Sequence, residues 1–281
     1  MKTCMVLEGG ALRGIYTAGV LDILQKENLK IDAIIGVSMG ALVGVNYVSN
    51  QPGRAIRYNL KYCKDKNYIS LRSLLKTGDI VNKELAYEKI PDKLDPFDYK
   101  AFDQSKIKFY CTVTNLETGK AEYIEIKDSK KQMDYLRAGG SMPGLSNIVE
   151  IQSHKYLDGG IADSIPVKKA IEMGYDKIIV VLTRPIEYRK KDSDMKYLQN
   201  RYKNYPKFQE TIKNRNKNYN ETVEEIIQLE QDNKIFVIRP TRKVKIKRIE
   251  HNPVRIKEQY DLGVEDCKEK LEELKKYLKE R

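Results

Sequence analysis

The segment Gly36-Val37-Ser38-Met39-Gly40 constrains this chain more than any other. It lies between an apolar run, Ile31 to Ile35, and a helix-forming run, Ala41 to Val48. Glycines flanking a serine at such a junction predict a tight strand-to-helix turn, a nucleophile elbow, with Ser38 Oγ exposed at its tip. That turn needs a strand before it and a helix after it, which is the grammar of an α/β layer. A serine hydroxyl is a weak nucleophile until a neighbouring base takes its proton, and the usual base is histidine. The 281 residues include two histidines, His154 and His251, so the identity of the base becomes the central question.

Two further segments bear on it. Thr3 to Leu7 reads as a strand that runs into Glu8-Gly9-Gly10-Ala11-Leu12-Arg13-Gly14 and then into an apolar-periodic helix from Ile15 to about Leu24. A strand, glycine turn and helix in that order aim backbone N–H groups and a helix N-terminus at one point, which stabilises an anion. The same loop could cradle a nucleotide phosphate, but its G-G-x-x-x-G spacing is not G-x-G-x-x-G and no G-K-[ST] follows. Downstream, Tyr156-Leu157-Asp158-Gly159-Gly160 ends a short strand with a carboxylate that a tight turn can present at a sheet edge. An oxyanion cradle, a serine on an elbow and an isolated aspartate together suggest a Ser-Asp dyad. His154, in a polar turn, and His251, after a basic stretch, both read as exposed. His251 alone fits the chain order of a serine, acid, histidine triad, which makes it the rival base.

Carrying these three motifs in this order, the sequence resembles the patatin-like phospholipase family, lipid acyl hydrolases with a glycine-rich oxyanion loop, a G-x-S-x-G serine and a D-G-G or D-G-A aspartate. Arg137-Ala138-Gly139-Gly140-Ser141-Met142-Pro143-Gly144 also resembles the family's approach to the aspartate, and the likeness covers roughly residues 3 to 185. The resemblance implies that Ser38 is the nucleophile and Asp158 the base. It places the oxyanion hole in the loop of Gly9, Gly10, Ala11, Arg13 and Gly14, chiefly at Gly10 and Ala11; the Met39 N–H, next after an elbow serine, can join it. Gly36 and Gly40 would form the elbow, and Gly159 and Gly160 the aspartate turn. No cofactor and no metal are implied. Two positions depart from the family pattern. Ala11 stands where a third glycine is usual, and Ser164-Ile165-Pro166 stands where asparagine often precedes x-Pro.

The rest of the chain predicts one patatin-like α/β domain over residues 1–281, a sandwich with a central, mostly parallel sheet flanked by helices. Arg54 to Leu75 reads as helical, and Ile107 to Asn115 with Ala121 to Ile126 as a hairpin. Pro166 to Met173 reads as a helix ended by Gly174, and Lys177 to Leu182 as a buried parallel strand. Residues 187–232 carry charged helical patterning, Ile235 to Ile238 a last strand, and 255–279 an amphipathic closing helix. Cys4, Cys63, Cys111 and Cys267 lack metal or disulfide spacing, which fits a reducing compartment. No apolar run approaches the ~18 residues of a membrane span, and Met1-Lys2-Thr3 leads straight into a strand. The expectation is a cytoplasmic protein.

The formal net charge is +12, and five of the seven residues from Arg242 to Arg248 are cationic. Such a run is either a solvated surface strand or loop, or a contact with nucleic acid or, peripherally, with the inner face of an anionic membrane. A nucleic acid partner is not expected. The reading is a serine acyl hydrolase acting on a lipid or phospholipid ester; the alternative is a catalytically idle lipid- or nucleotide-binding module.

Overall fold

The computed structural model describes residues 1–191 and 196–280. Five parallel strands make the centre of one sheet, in the order β8 (Phe236–Ile238), β7 (Lys177–Val181), β1 (Thr3–Leu7), β2 (Ala33–Val37) and β3 (Lys108–Asn115). Every residue of β1 and β2 is buried, as expected where helices cover both faces of a parallel sheet. Beyond β3 the sheet turns antiparallel. β4 (Ala121–Glu125) and β6 (His154–Asp158) both pair with β3, and β5 (Val149–Ile151) pairs with β6. The sheet is therefore mixed and mostly parallel, as predicted, and the hairpin expected of 107–115 with 121–126 joins β3 to β4.

Period-2 alternation along the strands sorts the helices into two layers. Met5 and Leu7 of β1 pack with α1 (Ile15–Lys26), α2 (Met39–Val48), α3 (Arg54–Tyr62) and α10 (Pro253–Lys279). Cys4 and Val6 face the other way, toward α7 (Val167–Glu172) and α9 (Pro206–Gln231). Shorter helices α4 (Leu71–Thr77), α5 (Tyr99–Asp103), α6 (Met133–Gly139) and α8 (Lys196–Arg201) fill connections, as does a π-helical stretch, Glu84–Leu94.

The run Arg54 to Leu75, read as one helical stretch, is two helices. The chain turns at Asp65, whose Oδ1 accepts from Asn67 N at 2.7 Å, and restarts at Ser70, whose hydroxyl caps α4 by accepting from Ser73 N at 3.0 Å. Residues 192–195, inside the stretch 187–232 read as helical, lie outside the described residues.

Helix α10 crosses α1 at close range through two glycines. A Cβ on Gly263 would lie 2.1 Å from Tyr16 O, and one on Gly19 would lie 2.2 Å from Tyr260 O. Polar bonds flank the crossing: Tyr16 OH donates to Asp266 Oδ2 at 2.9 Å and Gln259 Nε2 to Arg13 O at 3.1 Å. The four cysteines are buried and unpaired. Among the described residues no helix is long and apolar enough to cross a membrane.

Strand β3 also sets where the segments of Ser38 and Asp158 meet. Its Thr112 pairs with Val37, the last residue of β2, and the next residue, Val113, pairs with Asp158, the last residue of β6. Two strands far apart in sequence thus end at neighbouring positions of a third.

Candidate active site

Ser38 follows Val37 directly and starts α2 with φ 52° and ψ −125°. A β-carbon is unfavourable in this region, at a cost of about 1–3 kcal/mol, and such a residue persists only where its surroundings fix it. They do so here by proximity. A Cβ on Gly40 would lie 2.5 Å from Leu7 O, and one on Gly36 would lie 2.5 Å from Ala41 Cα, so the elbow closes only with glycine at both positions. Ser38 Oγ donates to Asp158 Oδ2 at 2.6 Å, and both residues are buried. Asp158 Oδ1 accepts from Gly160 N at 2.8 Å. The backbone of Asp158 is fixed as well, its N–H bonded to Ser141 O and its carbonyl to Thr114 Oγ1, each at 2.8 Å.

Burial pushes the Asp158 carboxyl above the usual carboxylate range. The bonds from Ser38 and Gly160 and the charges of Arg215 and Lys190 pull it back only partly. The histidines lie elsewhere. His154 is exposed at the start of β6, and His251 Nδ1 donates to Cys63 O at 2.7 Å. Neither lines a cavity that reaches Ser38.

The glycine loop is tied down at its first residue. Glu8 is buried and accepts from Thr183 N at 2.5 Å, Thr183 Oγ1 at 3.0 Å and Tyr219 OH at 2.8 Å. Gly9 N donates to Ser164 O at 3.4 Å, and no bond from the amides of Gly10 or Ala11 to a described residue is present. Ala11 takes φ 48°, so alanine holds the left-handed conformation that a third glycine would give freely. Met39 N lies in the first turn of α2, where amides have no intrahelical partner. Gly14 packs under Met39, where an added Cβ would come within 2.7 Å of Met39 Cγ. Ser164 braces the aspartate turn by donating to Gly160 O at 2.8 Å.

Two cavities meet at Ser38. One, of about 130 Å³, is apolar and includes Leu42, Val45, Tyr58, Tyr87, Ile90 and Met142 in its walls. The other, of about 140 Å³, is polar and takes in Gly9, Gly10, Asp158 and a group of cations. Both contain Ala11, Ser38, Met142 and Arg248. The arrangement can seat an acyl chain on one side of the hydroxyl and a polar group on the other.

The family model described as Patatin-like phospholipase matches residues 5–171 of this fold. The chain belongs to the patatin-like phospholipase family. A second model, described as Domain of unknown function (DUF6363), matches residues 205–279. The chain is 29% identical to Uncharacterized protein YjjU of Escherichia coli over 190 residues, 66% of this chain and 52% of that protein. It is 29% identical to Lysophospholipase NTE1 of Scheffersomyces stipitis over 184 residues and 28% identical to that of Coccidioides immitis over 193 residues, in each case 63% of this chain and 11% of the relative. The chain thus spans about half of the bacterial relative and a small part of the fungal ones.

Other residues around these cavities are invisible to motif reading. Arg184, Lys190 and Arg215 join Arg13 and Arg248 around the polar cavity. Arg215 Nε donates to Gly160 O at 2.8 Å and Lys190 Nζ to Ser164 Oγ at 3.3 Å, so both reach the aspartate turn. Burial, then the charge of Arg215, pushes the Lys190 ammonium down to about 6. The Arg13 guanidinium is lowered to about 10 by burial, then by Arg184, and its Nε is buried without a hydrogen-bond partner. The one sequence signal for Arg184, Lys190 and Arg215 is the overall excess of basic side chains, 52 Lys and Arg against 40 Asp and Glu.

Proposed function

We propose that this chain is a serine acyl hydrolase that cleaves lipid esters through Ser38 and Asp158. The observation that carries the reading is the 2.6 Å hydrogen bond from Ser38 Oγ to Asp158 Oδ2, made from a strained turn where an apolar and a polar cavity meet. Ser38 Oγ attacks the ester carbonyl as Asp158 takes its proton; Asp158 then returns the proton to the leaving alcohol. A water, deprotonated by the same carboxylate, releases the acid. The amides of Gly10, Ala11 and Met39 receive the oxyanion, and they need no reorganisation to do so because each is fixed in a turn or a helix start. The names of the fungal relatives support a lipid ester substrate. Labelling by a fluorophosphonate probe tests the reading directly: modification at Ser38, with turnover of p-nitrophenyl butyrate, is the expected result. A chain that is neither labelled nor active is an idle binding module.

The pH profile should follow the aspartate. Only the ionised carboxylate accepts a proton, so kcat/KM is full at high pH and falls as pH drops through the Asp158 pKa. Burial raises that value, so the limb lies above the ~3.9 of a free aspartate. The limb should persist in a His154→Ala/His251→Ala variant, whereas its disappearance there would assign the base to histidine.

We read residues 1–281 as one domain, since α9 supplies Tyr219 to Glu8 and α10 covers α1. Placement in the cytoplasm, peripheral on an anionic membrane, belongs to the same proposal. In the run 242–248, Val244 and Ile246 are buried while Lys243, Lys245 and Lys247 are exposed. Each cation near an anionic surface contributes about 1 kcal/mol, screened by salt. Changing these three lysines to glutamine should weaken binding to anionic vesicles by up to about 3 kcal/mol at low salt and leave hydrolysis of a soluble ester intact. Vesicle binding equal to that of the native chain would reduce the run to a solvated surface.

A further inference from the structure

We propose that the polar cavity beside Ser38 is a headgroup site that selects esters bearing a phosphate with no compensating cation, and that Arg184, Lys190, Arg215 and Arg248 read it. The inference rests on the reading of Ser38 as the attacking group and names the substrate class that this reading leaves open. None of these four residues falls within the 5–171 match.

Position is the first support. The cavity lies at the C-terminal ends of β1 and β7, between Gly9-Gly10 and Thr183-Arg184. From β1 the chain winds to β2 on one side, while β7 occupies the other. A switch of winding at adjacent strand ends opens the crevice in which α/β sheets bind ligands.

Charge is the second. Five basic side chains, Arg13 among them, face two carboxylates, Glu8 and Asp158; Lys190, pushed down to about 6 by burial, takes up its proton as an anion binds. Both carboxylates are engaged elsewhere, Glu8 by Thr183 and Tyr219 and Asp158 by Ser38 and Gly160. Among the described residues no carboxylate lies within 4.0 Å of any of the five basic groups. Burial is the leading cause that lowers both Lys190 and Arg215, and among the described residues neither has a carboxylate counterion within ion-pair distance. A phosphate entering the cavity supplies that counterion and accepts charge-assisted bonds from the guanidinium groups.

The aromatic side chains decide between headgroups. A choline group would need open ring faces. Here the Arg184 guanidinium lies 4.1 Å from the centroid of Tyr188, and Lys190 Nζ lies 3.6 Å from that of Tyr219. The rings already face basic groups, and a quaternary ammonium would join four guanidinium charges.

Calorimetry on the full chain tests the site apart from turnover. Glycerol 3-phosphate should bind at least tenfold more tightly than glycerophosphocholine, and Lys190→Gln and Arg184→Gln should each weaken that binding at least tenfold with matched thermal unfolding. The kcat/KM for 1-acyl-glycerol 3-phosphate should exceed that for the phosphocholine counterpart by at least tenfold, and the ratio should fall in both variants. Equal binding of the two glycerol esters, or binding that neither variant weakens, overturns the proposal. Inorganic phosphate binding as tightly as glycerol 3-phosphate, with a lipid ratio near one, makes this a free-anion site and overturns it too. Selective glycerol 3-phosphate binding without hydrolysis of any ester sustains the anion site and sinks the hydrolase reading. Ester hydrolysis without that binding does the reverse.

Discussion

Ser38→Ala is expected to lower kcat for a soluble ester by on the order of 10³ or more, and Asp158→Asn by a comparable factor. The two side chains share one hydrogen bond at 2.6 Å and, on the proposed mechanism, one proton, so neither has a use without the other. The double variant should therefore be no slower than the worse single one. Asparagine is the informative replacement because it has nearly the shape of aspartate: its one oxygen can keep the bond from Gly160 N while its Nδ2 donates to Ser38 Oγ. What it cannot do is take a proton. The fold should survive, and circular dichroism with thermal unfolding would establish that before rates are compared. Residual activity above the uncatalysed rate is expected from the loop amides, which neither change touches. Near-native turnover in Asp158→Asn would remove the aspartate from the mechanism.

The largest loss of stability is expected from Gly263→Val. The first added carbon would stand 2.1 Å from Tyr16 O, a backbone atom inside α1 with no rotamer to retreat into. The helices must move apart, which strains the bonds from Tyr16 to Asp266 and from Gln259 to Arg13 and opens space in the core beneath them. Overpacking usually costs about 1–3 kcal/mol, and a backbone-to-backbone collision belongs at or above the top of that range. At about 2–4 °C per kcal/mol for a chain somewhat shorter than this one, Tm should fall by about 10 °C. Val254→Ala supplies the control, since Val254 is on the same helix but exposed and should move Tm by less than a degree or two. An unchanged Tm in Gly263→Val would mean that the two helices do not cross so closely in solution.

The elbow, the first strand and the aspartate turn were readable from sequence because each is local. A glycine, a small apolar run and a polar residue within five positions fix a turn whatever the rest of the chain does. That Ser38 and Asp158 touch is not local, since it depends on β2 and β6 ending opposite neighbouring residues of β3; the conjunction of three motifs suggested that pairing and the resemblance to a family supported it. The cations of the polar cavity lacked even this help. Arg184 leaves the end of β7, Arg215 projects from the middle of α9, and Arg248 follows an extended run, so no spacing rule connects them. The apolar cavity was hidden for another reason. Tyr87, Ile90 and Pro91 line it from the π-helical stretch 84–94, whose turn does not match the 3.6-residue period used to find helical faces. The split of the stretch 54–75 was legible in part, since Ser70 before Leu71 is a capping residue, but an amphipathic reading runs straight through it.

The crossing of α10 over α1 also orders events as the chain is made. Protein chains are synthesised from the N-terminus and tend to fold as segments appear. Here Ser38 and Asp158 emerge early, yet the outer side of α1 stays bare until the residues around Gly263 follow, roughly a hundred residues after the aspartate. Until then Tyr16 has no Asp266 and Arg13 O has no Gln259, and the glycine loop that begins at Glu8 lacks its tether from Tyr219. The segment that carries Ser38 and Asp158 is therefore complete before its cover is made. A ribosome stalled anywhere between residues 185 and 253 should display the motifs of this family without the rigid cradle that gives them purpose.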